Sequence, residues 1–225
     1  MNTVLVIGAS RGIGLEFVRQ YVAAGDKVIA TARDDAGLQR LKSLGAKALR
    51  LDVAEPASIS GLAWLLDGEE IDIALYVAGV FPTANALAPP TREVFDQAMR
   101  TNVLGAMQAL PQVAPMVAAA RGGPGRFAFI SSSMAQIGGV EDSDGWVYRA
   151  SKAALNMAVA SAQHDYPGAI LVALSPGWVQ TDMGGADAPL TVAQSVASMR
   201  NTLAGLGPQH KGAFLDHDGS RFSGW

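Results

Sequence analysis

The feature that most constrains this chain is an alternation, almost from end to end, of short apolar runs with longer stretches of helical periodicity. Residues 4–7, 27–31, 46–51, 71–77, 126–130 and 169–174 are short, apolar and bounded by Gly, Asp or Ser, which is the pattern of strands. Between them, residues 13–24, 36–44, 57–66, 92–120 and 148–165 repeat apolar side chains at helical spacing. The long 92–120 stretch is expected to break near Asn102 and to bend at Pro111 or Pro115, because proline removes a donor and clashes with the preceding turn. A late helix at 192–206 precedes a last strand at 212–215. The strand runs are continuously apolar, as strands buried on both faces must be. Parallel strands need crossover connections, and the intervening helices supply them. The expectation is an α/β fold, a doubly wound parallel sheet with helices on both faces, in one domain spanning 1–225.

Composition narrows the partners. A length of 225 residues suits one domain, and 49% apolar against 16% charged residues is a globular balance, not a disordered one. A net charge of −3 provides no basic face, which argues against nucleic acid. Cysteine is absent, so disulfides, thiolate catalysis and a cysteine-based zinc site are excluded. That composition fits a cytoplasmic protein. Residues 4–7 are cut short by Gly8 and Arg11 and read as a strand, not a signal peptide. The longest apolar run, 73–81, is about half of what a membrane-spanning helix needs. His164, His210 and His217 are scattered, so no metal site is assigned.

Between the first strand and the first helix stands Gly8-Ala9-Ser10-Arg11-Gly12-Ile13-Gly14. A helix N-terminus offers unpaired N–H groups and partial positive charge to a pyrophosphate. In that context Gly8 permits the turn, Gly12 lets a ligand approach the backbone, and Gly14 allows the helix to pack closely on the strand. The fold expectation sharpens accordingly to a Rossmann-type domain. A ligand-free glycine turn is the plainer alternative; a Walker-type loop is disfavoured because no Gly-Lys-Ser/Thr follows. After the second strand the chain reads Arg33-Asp34-Asp35. Two guanidiniums, Arg33 and Arg11, suit a 2′-phosphate, so NADP(H) is favoured over NAD(H). On the competing view Asp34 or Asp35 reads the ribose hydroxyls, but aspartate at that place more often caps the helix that follows.

Tyr148-Arg149-Ala150-Ser151-Lys152 opens the 148–165 helix and sets a phenol and an ammonium four residues apart, on one face. A nearby fixed cation, joined by an oxidised nicotinamide, favours the phenolate and lowers the tyrosine pKa. Ser131-Ser132-Ser133 ends the fifth strand, where ligand-facing groups of an open α/β sheet gather. Asn102 is a poor helix former in a helical stretch, and a water chain to Lys152 would satisfy its buried amide.

The ordered set GASRGIG, LDV, TNVLG, ISS, YRASK and SPGWVQTDM resembles the short-chain dehydrogenase/reductase family, and the tail 212–219 with Trp225 resembles its C-factor and sniffer-like carbonyl reductase branch. The resemblance implies an NAD(P)-dependent oxidoreductase that interconverts a small-molecule carbonyl and alcohol. It implies Tyr148 as general acid/base, Lys152 lowering its pKa and binding the nicotinamide ribose, Ser132 polarising the carbonyl, and Asn102 holding a relay water. It places Asp52 and Val53 at the adenine, Ala78, Gly79 and Val80 near its ribose, and Pro176, Gly177, Val179 and Thr181 at the nicotinamide.

Two departures stand out. The family's Asn-Asn-Ala-Gly is here Tyr76-Val77-Ala78-Gly79, which removes two amides that tie strands together. Ser132 also lies further upstream of Tyr148 than is common, across an inserted loop at 138–146, so Ser133 stays a second candidate for its role. Phe81, Met134, Trp146, Trp178 and Met183 flank the expected site and outline an apolar pocket. The apolar faces of 92–120 exceed what one sheet can bury, and with the family's habit they imply a homodimer or homotetramer. A regulatory or signalling protein that binds the cofactor without much turnover is the alternative, but it has no need of the proton-transfer pair. A methyltransferase would leave Tyr148, Lys152 and the Thr181 segment unexplained.

Overall fold

The computed structural model describes residues 1–120 and 122–225. Seven strands, β1 (Thr3–Ile7), β2 (Lys27–Ala32), β3 (Lys47–Arg50), β4 (Ile73–Tyr76), β5 (Arg126–Ile130), β6 (Ile170–Leu174) and β7 (Phe214–Leu215), pair in parallel in the order β3-β2-β1-β4-β5-β6-β7. The chain therefore adopts the expected doubly wound sheet. The winding reverses between β1 and β4, so the loops after these strands part above their carboxyl ends, where open α/β sheets take ligands.

β1 shows why its run has no polar position. Val4 and Val6 enter one core with Phe17, Leu41 and Met199 from α1 (Gly12–Ala23), α2 (Asp35–Ser43) and α8 (Val192–Ala204). Leu5 and Ile7 enter the opposite core with Leu110, Val113, Leu155 and Val159 from α6 (Gly105–Ala118) and α7 (Trp146–Ala162). Successive strand side chains point to opposite faces, and here both faces are covered. The helix starts are written locally. Asp34 caps α2 by accepting from the Gly37 N–H, and Thr191 with Gln194 forms a capping box on α8.

Two helical expectations change. The 57–66 segment is not one helix but two single turns, α3 (Pro56–Ile59) and α4 (Leu62–Leu65). Gly61 weakens the continuation, and Gln112 of α6 stabilises the break by accepting from Ala63 N and donating to Ile59 O. The 92–120 segment divides at the expected place: α5 (Arg92–Met99) leads into a π-turn (Arg100–Leu104) that carries Asn102, and then into α6. Pro111 and Pro115 lie inside α6, which continues through both. Packing of its apolar face against β4 and β5 outweighs the lost donors.

Candidate active site

The glycine loop joins β1 to α1. Gly8 has φ +88° and Gly12 φ +54°, conformations that favour glycine. A Cβ on Gly8 would fall 2.6 Å from Ala78 N, so β1 and the end of β4 are in tight contact there. A Cβ on Gly14 would fall 2.3 Å from Gly8 O, which is the close helix-on-strand packing expected of it. Around Gly12 the space is open, with only the Thr181 methyl, at 3.9 Å, near the Cβ position among the described residues. Any side chain at Gly12 would occupy this cradle, so the loop fits a pyrophosphate at the N-terminus of α1. Ser10 and Ile13 lie on the same loop, and the Thr31 hydroxyl of β2 accepts from Gly8 N at 3.0 Å.

Beyond β2 the charges sort themselves. Asp34 is engaged as the α2 cap, at 2.7 Å from Gly37 N, and Asp35 pairs with Arg50. Arg33 is exposed, with its carbonyl accepting from Arg50 Nη1. Arg11 does not turn toward Arg33. It crosses the cleft to Asp182, one residue past Thr181, at 3.2 Å. The arginine that does reach this corner is Arg40, whose Nε donates to Ser10 O at 3.1 Å. It lies one turn after Gly37 on α2, whose Cβ position is 2.9 Å from the Ser10 side chain. The expected pairing of Arg33 with Arg11 is not formed: Arg11 is engaged by Asp182, a carboxylate that only the fold brings near, and Arg40 stands beside the glycine loop instead.

The catalytic candidates converge at the end of β5 and the start of α7. The three serines divide their tasks. Ser131 is buried and donates to Asn156 Oδ1 at 2.6 Å, the Ser132 hydroxyl accepts from Met134 N at 3.1 Å and lies near enough to Tyr148 to pull its pKa down, and Ser133 is exposed. Of the two candidates it is Ser132 that influences the phenol. Lys152 Nζ donates to Ile130 O at 2.7 Å and stands 5.6 Å from the centre of the Tyr148 ring. Asn102 is fully buried. Its Oδ1 accepts from Val80 N at 2.9 Å, and its Nδ2 donates to Val80 O at 3.0 Å and to Ser151 Oγ at 2.9 Å. A Cβ placed on Gly79 would lie 3.4 Å from Asn102 Oδ1 and 3.5 Å from Lys152 Nζ, so these two groups flank one point above Gly79.

Burial dominates the electrostatics of this cluster. Burial pushes Tyr148 up to about 12, against the pull of the Ser132 hydrogen bond, and pushes Lys152 down to about 8. Desolvation is the largest influence on both groups. Tyr148 rests as a proton-bearing phenol. Phe81 packs edge-on against it at 4.7 Å and 89°.

The third wall follows β6. Pro176 O accepts from Ser195 Oγ at 2.6 Å, Gly177 (φ +75°) passes against Leu190 and His217, and Val179 bridges to Leu190. The Thr181 hydroxyl accepts from Gly184 N at 3.1 Å. Asp52, after β3, accepts from Ala54 N at 3.0 Å, and Val53 is buried beside it. Of the apolar candidates, Phe81 and Met134 meet at Gly145, next to Tyr148, whereas Trp178 and Met183 are exposed on the Thr181 segment.

This arrangement agrees with comparison to known proteins. The family model for short chain dehydrogenases matches residues 2–189. The chain belongs to the short-chain dehydrogenase/reductase family. It is 37% identical over 152 residues to C-signal of Myxococcus xanthus, a match that covers 67% of this chain and 90% of that protein. The structure of the carbonyl reductase Sniffer of D. melanogaster superposes with TM-score 0.90 and 28% identity over 100% of both chains. A Burkholderia multivorans protein assigned to the same family, with NADP bound, gives TM-score 0.85 and 28% identity over 98% of both. Like its family, this chain is an NAD(P)-dependent oxidoreductase, and these similarities set it in the sniffer-like branch.

Against that family background the two departures acquire a structural account. Tyr76 replaces a strand-tying amide with a phenol that donates to Thr101 O at 2.7 Å. The inserted loop at 138–146 is pinned to the 82–91 loop by Ala86 N on Ser143 Oγ at 3.3 Å, and Arg149 holds Asp142. Sequence reading missed Arg40, Ser151 and the role of Tyr76. Ser151 stood in plain view beside Lys152, but nothing local pairs it with Asn102, 49 residues away.

Proposed function

We propose that the chain catalyses NADPH-dependent interconversion of a carbonyl and an alcohol. The observation that carries this reading is the meeting of Ser132, Tyr148 and Lys152 at the end of β5, opposite Asn102 and beside an open glycine cradle. A bound nicotinamide cofactor supplies or accepts the hydride. Tyr148 gives the carbonyl oxygen its proton, and Ser132 holds that oxygen and steadies the phenolate left behind. Lys152 refills the phenol with help from water held at Asn102, and also binds the nicotinamide ribose. Burial of Tyr148 keeps its proton in place until substrate arrives, and a positive charge arriving beside it lowers its pKa toward the working range.

For the cofactor, Gly8, Ser10, Gly12, Ile13 and Gly14 take the pyrophosphate. Asp52, Val53, Ala78, Gly79 and Val80 line the adenosine side, and Pro176, Gly177, Val179 and Thr181 the nicotinamide side. Arg33 and Arg40 favour a 2′-phosphate, with Asp34 already spent on its helix cap. The apolar contact of Phe81 with Tyr148 points to apolar carbonyl substrates. Exposed Leu104, Met107 and Met157 on α6, α7 and the turn before them support pairing as a homodimer or homotetramer, which light scattering would refute by a monomer mass. The reading places the enzyme in the cytoplasm, acting on a small molecule. The decisive assay follows NADPH absorbance over a panel of aldehydes and ketones, with NADH in parallel. No oxidation of either cofactor across the panel would reject the activity.

A further inference from the structure

Tyr76 ends β4 with its ring in the core, fully buried and stacked on Phe129 at 6.0 Å between ring centres. A buried phenol needs a partner, and this one finds it outside the sheet, donating to Thr101 O at 2.7 Å. Thr101 lies in the π-turn, where the Gly105 N–H donates to Arg100 O, five residues back. In an α-helix that N–H would serve Thr101 O instead. The π-turn therefore takes one donor away from Thr101, and the phenol supplies another. Gly105 makes the room, because a Cβ there would fall 2.5 Å from the Tyr76 oxygen. Burial raises the Tyr76 pKa, so the group remains a donor.

We infer that Tyr76 is a positioning residue: by holding the Thr101 carbonyl it locks the π-turn that keeps the adjacent Asn102 turned toward Val80, Ser151 and the point it shares with Lys152. The inference rests on the reading of the site proposed above. π-Turns are rare and short, and reversion to an α-helix rotates the chain by about 100° per residue. Such a rotation would carry the Asn102 amide off Val80.

Tyr76→Phe removes the oxygen alone. With NADPH and a responsive carbonyl, kcat should fall about 10- to 100-fold, as for a displaced relay group, while KM for NADPH stays within about twofold. The pH profile of kcat should shift, which a general loss of stability would not cause. The Val80 amide, held by Asn102, should exchange with deuterium about tenfold faster while amides of β5 and β6 keep their protection. Wild-type kcat in the folded variant, or unchanged Val80 protection, overturns the inference. Should the variant not fold, the wild type still decides. It must show a slowly exchanging tyrosine hydroxyl proton with an Overhauser contact to the Gly105 α-protons, and absence of that signal overturns the inference. If the wild type reduces no carbonyl but Tyr76→Phe loosens Val80 as expected, the proposed chemistry has failed and the positioning stands.

Discussion

At the glycine-loop end of the cleft the groups are backbone and exposed charge. Gly12 is open, Arg33 and Arg40 are exposed, and the Arg11–Asp182 pair has side chains 70% and 80% exposed. At the catalytic end they are buried side chains, with Asn102 at 0% and Lys152 at 3% exposure, each tied by short hydrogen bonds to backbone. The contrast is one of dielectric. Exposed charges act through geometry, are screened and contribute modestly. Buried ones shift each other's proton affinity and leave costly unpaired groups when removed. Mutations at the two ends should therefore differ in kind as well as size.

The largest effect is expected at the buried end. Tyr148→Phe removes one proton-bearing oxygen, so kcat should drop roughly 10²- to 10⁴-fold, with NADPH affinity by fluorescence titration nearly unchanged. Near-normal turnover would break the comparison at its centre. Next is the exposed end. Arg33→Ala should weaken NADPH about 10- to 150-fold, the worth of a charge-assisted contact, and leave NADH almost unaltered. Arg33→Asp should move the kcat/KM ratio further toward NADH. A ratio that does not move would mean that Arg33 only meets solvent.

Stability against pH gives a subtler measure of burial. Lys152 is held near 8 in the folded chain against 10.5 when free. Between those values the unfolded chain binds one more proton than the folded one, so unfolding free energy should rise with pH across that window. Below about 8 both states carry the proton and the cost of burying it is fully present. Urea midpoints for wild type and Lys152→Met at pH 8, 9 and 10 test this, and the rise should be smaller in the variant. An equal slope in both would assign it elsewhere. The smallest effect belongs to the exposed pair: Asp182→Asn should change stability by less than about 1 kcal/mol. By freeing Arg11 it should alter NADPH affinity in a salt-dependent way. A large loss of stability there would show that exposure misjudges the pair.

Much of this was legible in the residues because it is local. The seven strand runs, the Asp34 cap, the glycine loop and the spacing of Tyr148 and Lys152 each lie within a few positions. Backbone geometry alone relates such neighbours. The break at Asn102 was legible as a poor helix former, but not as a π-turn, since its register depends on a phenol 25 positions before Thr101. The pairing of Arg11 with Asp182 spans 171 positions and no spacing announces it. The rise of the Tyr148 pKa in the protein alone was not legible for the same kind of reason. Burial depth sets the sign of that shift, and burial is a property of packed neighbours.

By itself, then, the amino-acid sequence determined the doubly wound sheet, the family, the glycine turn after β1 and the Tyr148–Lys152 spacing. The sheet follows from periodicity, the family from the resemblance of its ordered motifs, and the turn and the spacing from residues that are neighbours in the chain. Only the tertiary structure decided that Arg11 meets Asp182, that Arg40 meets Ser10, and what holds Asn102 in place. Those are contacts between segments distant in the chain, selected by how the two cores pack and which polar groups must find partners once water is gone.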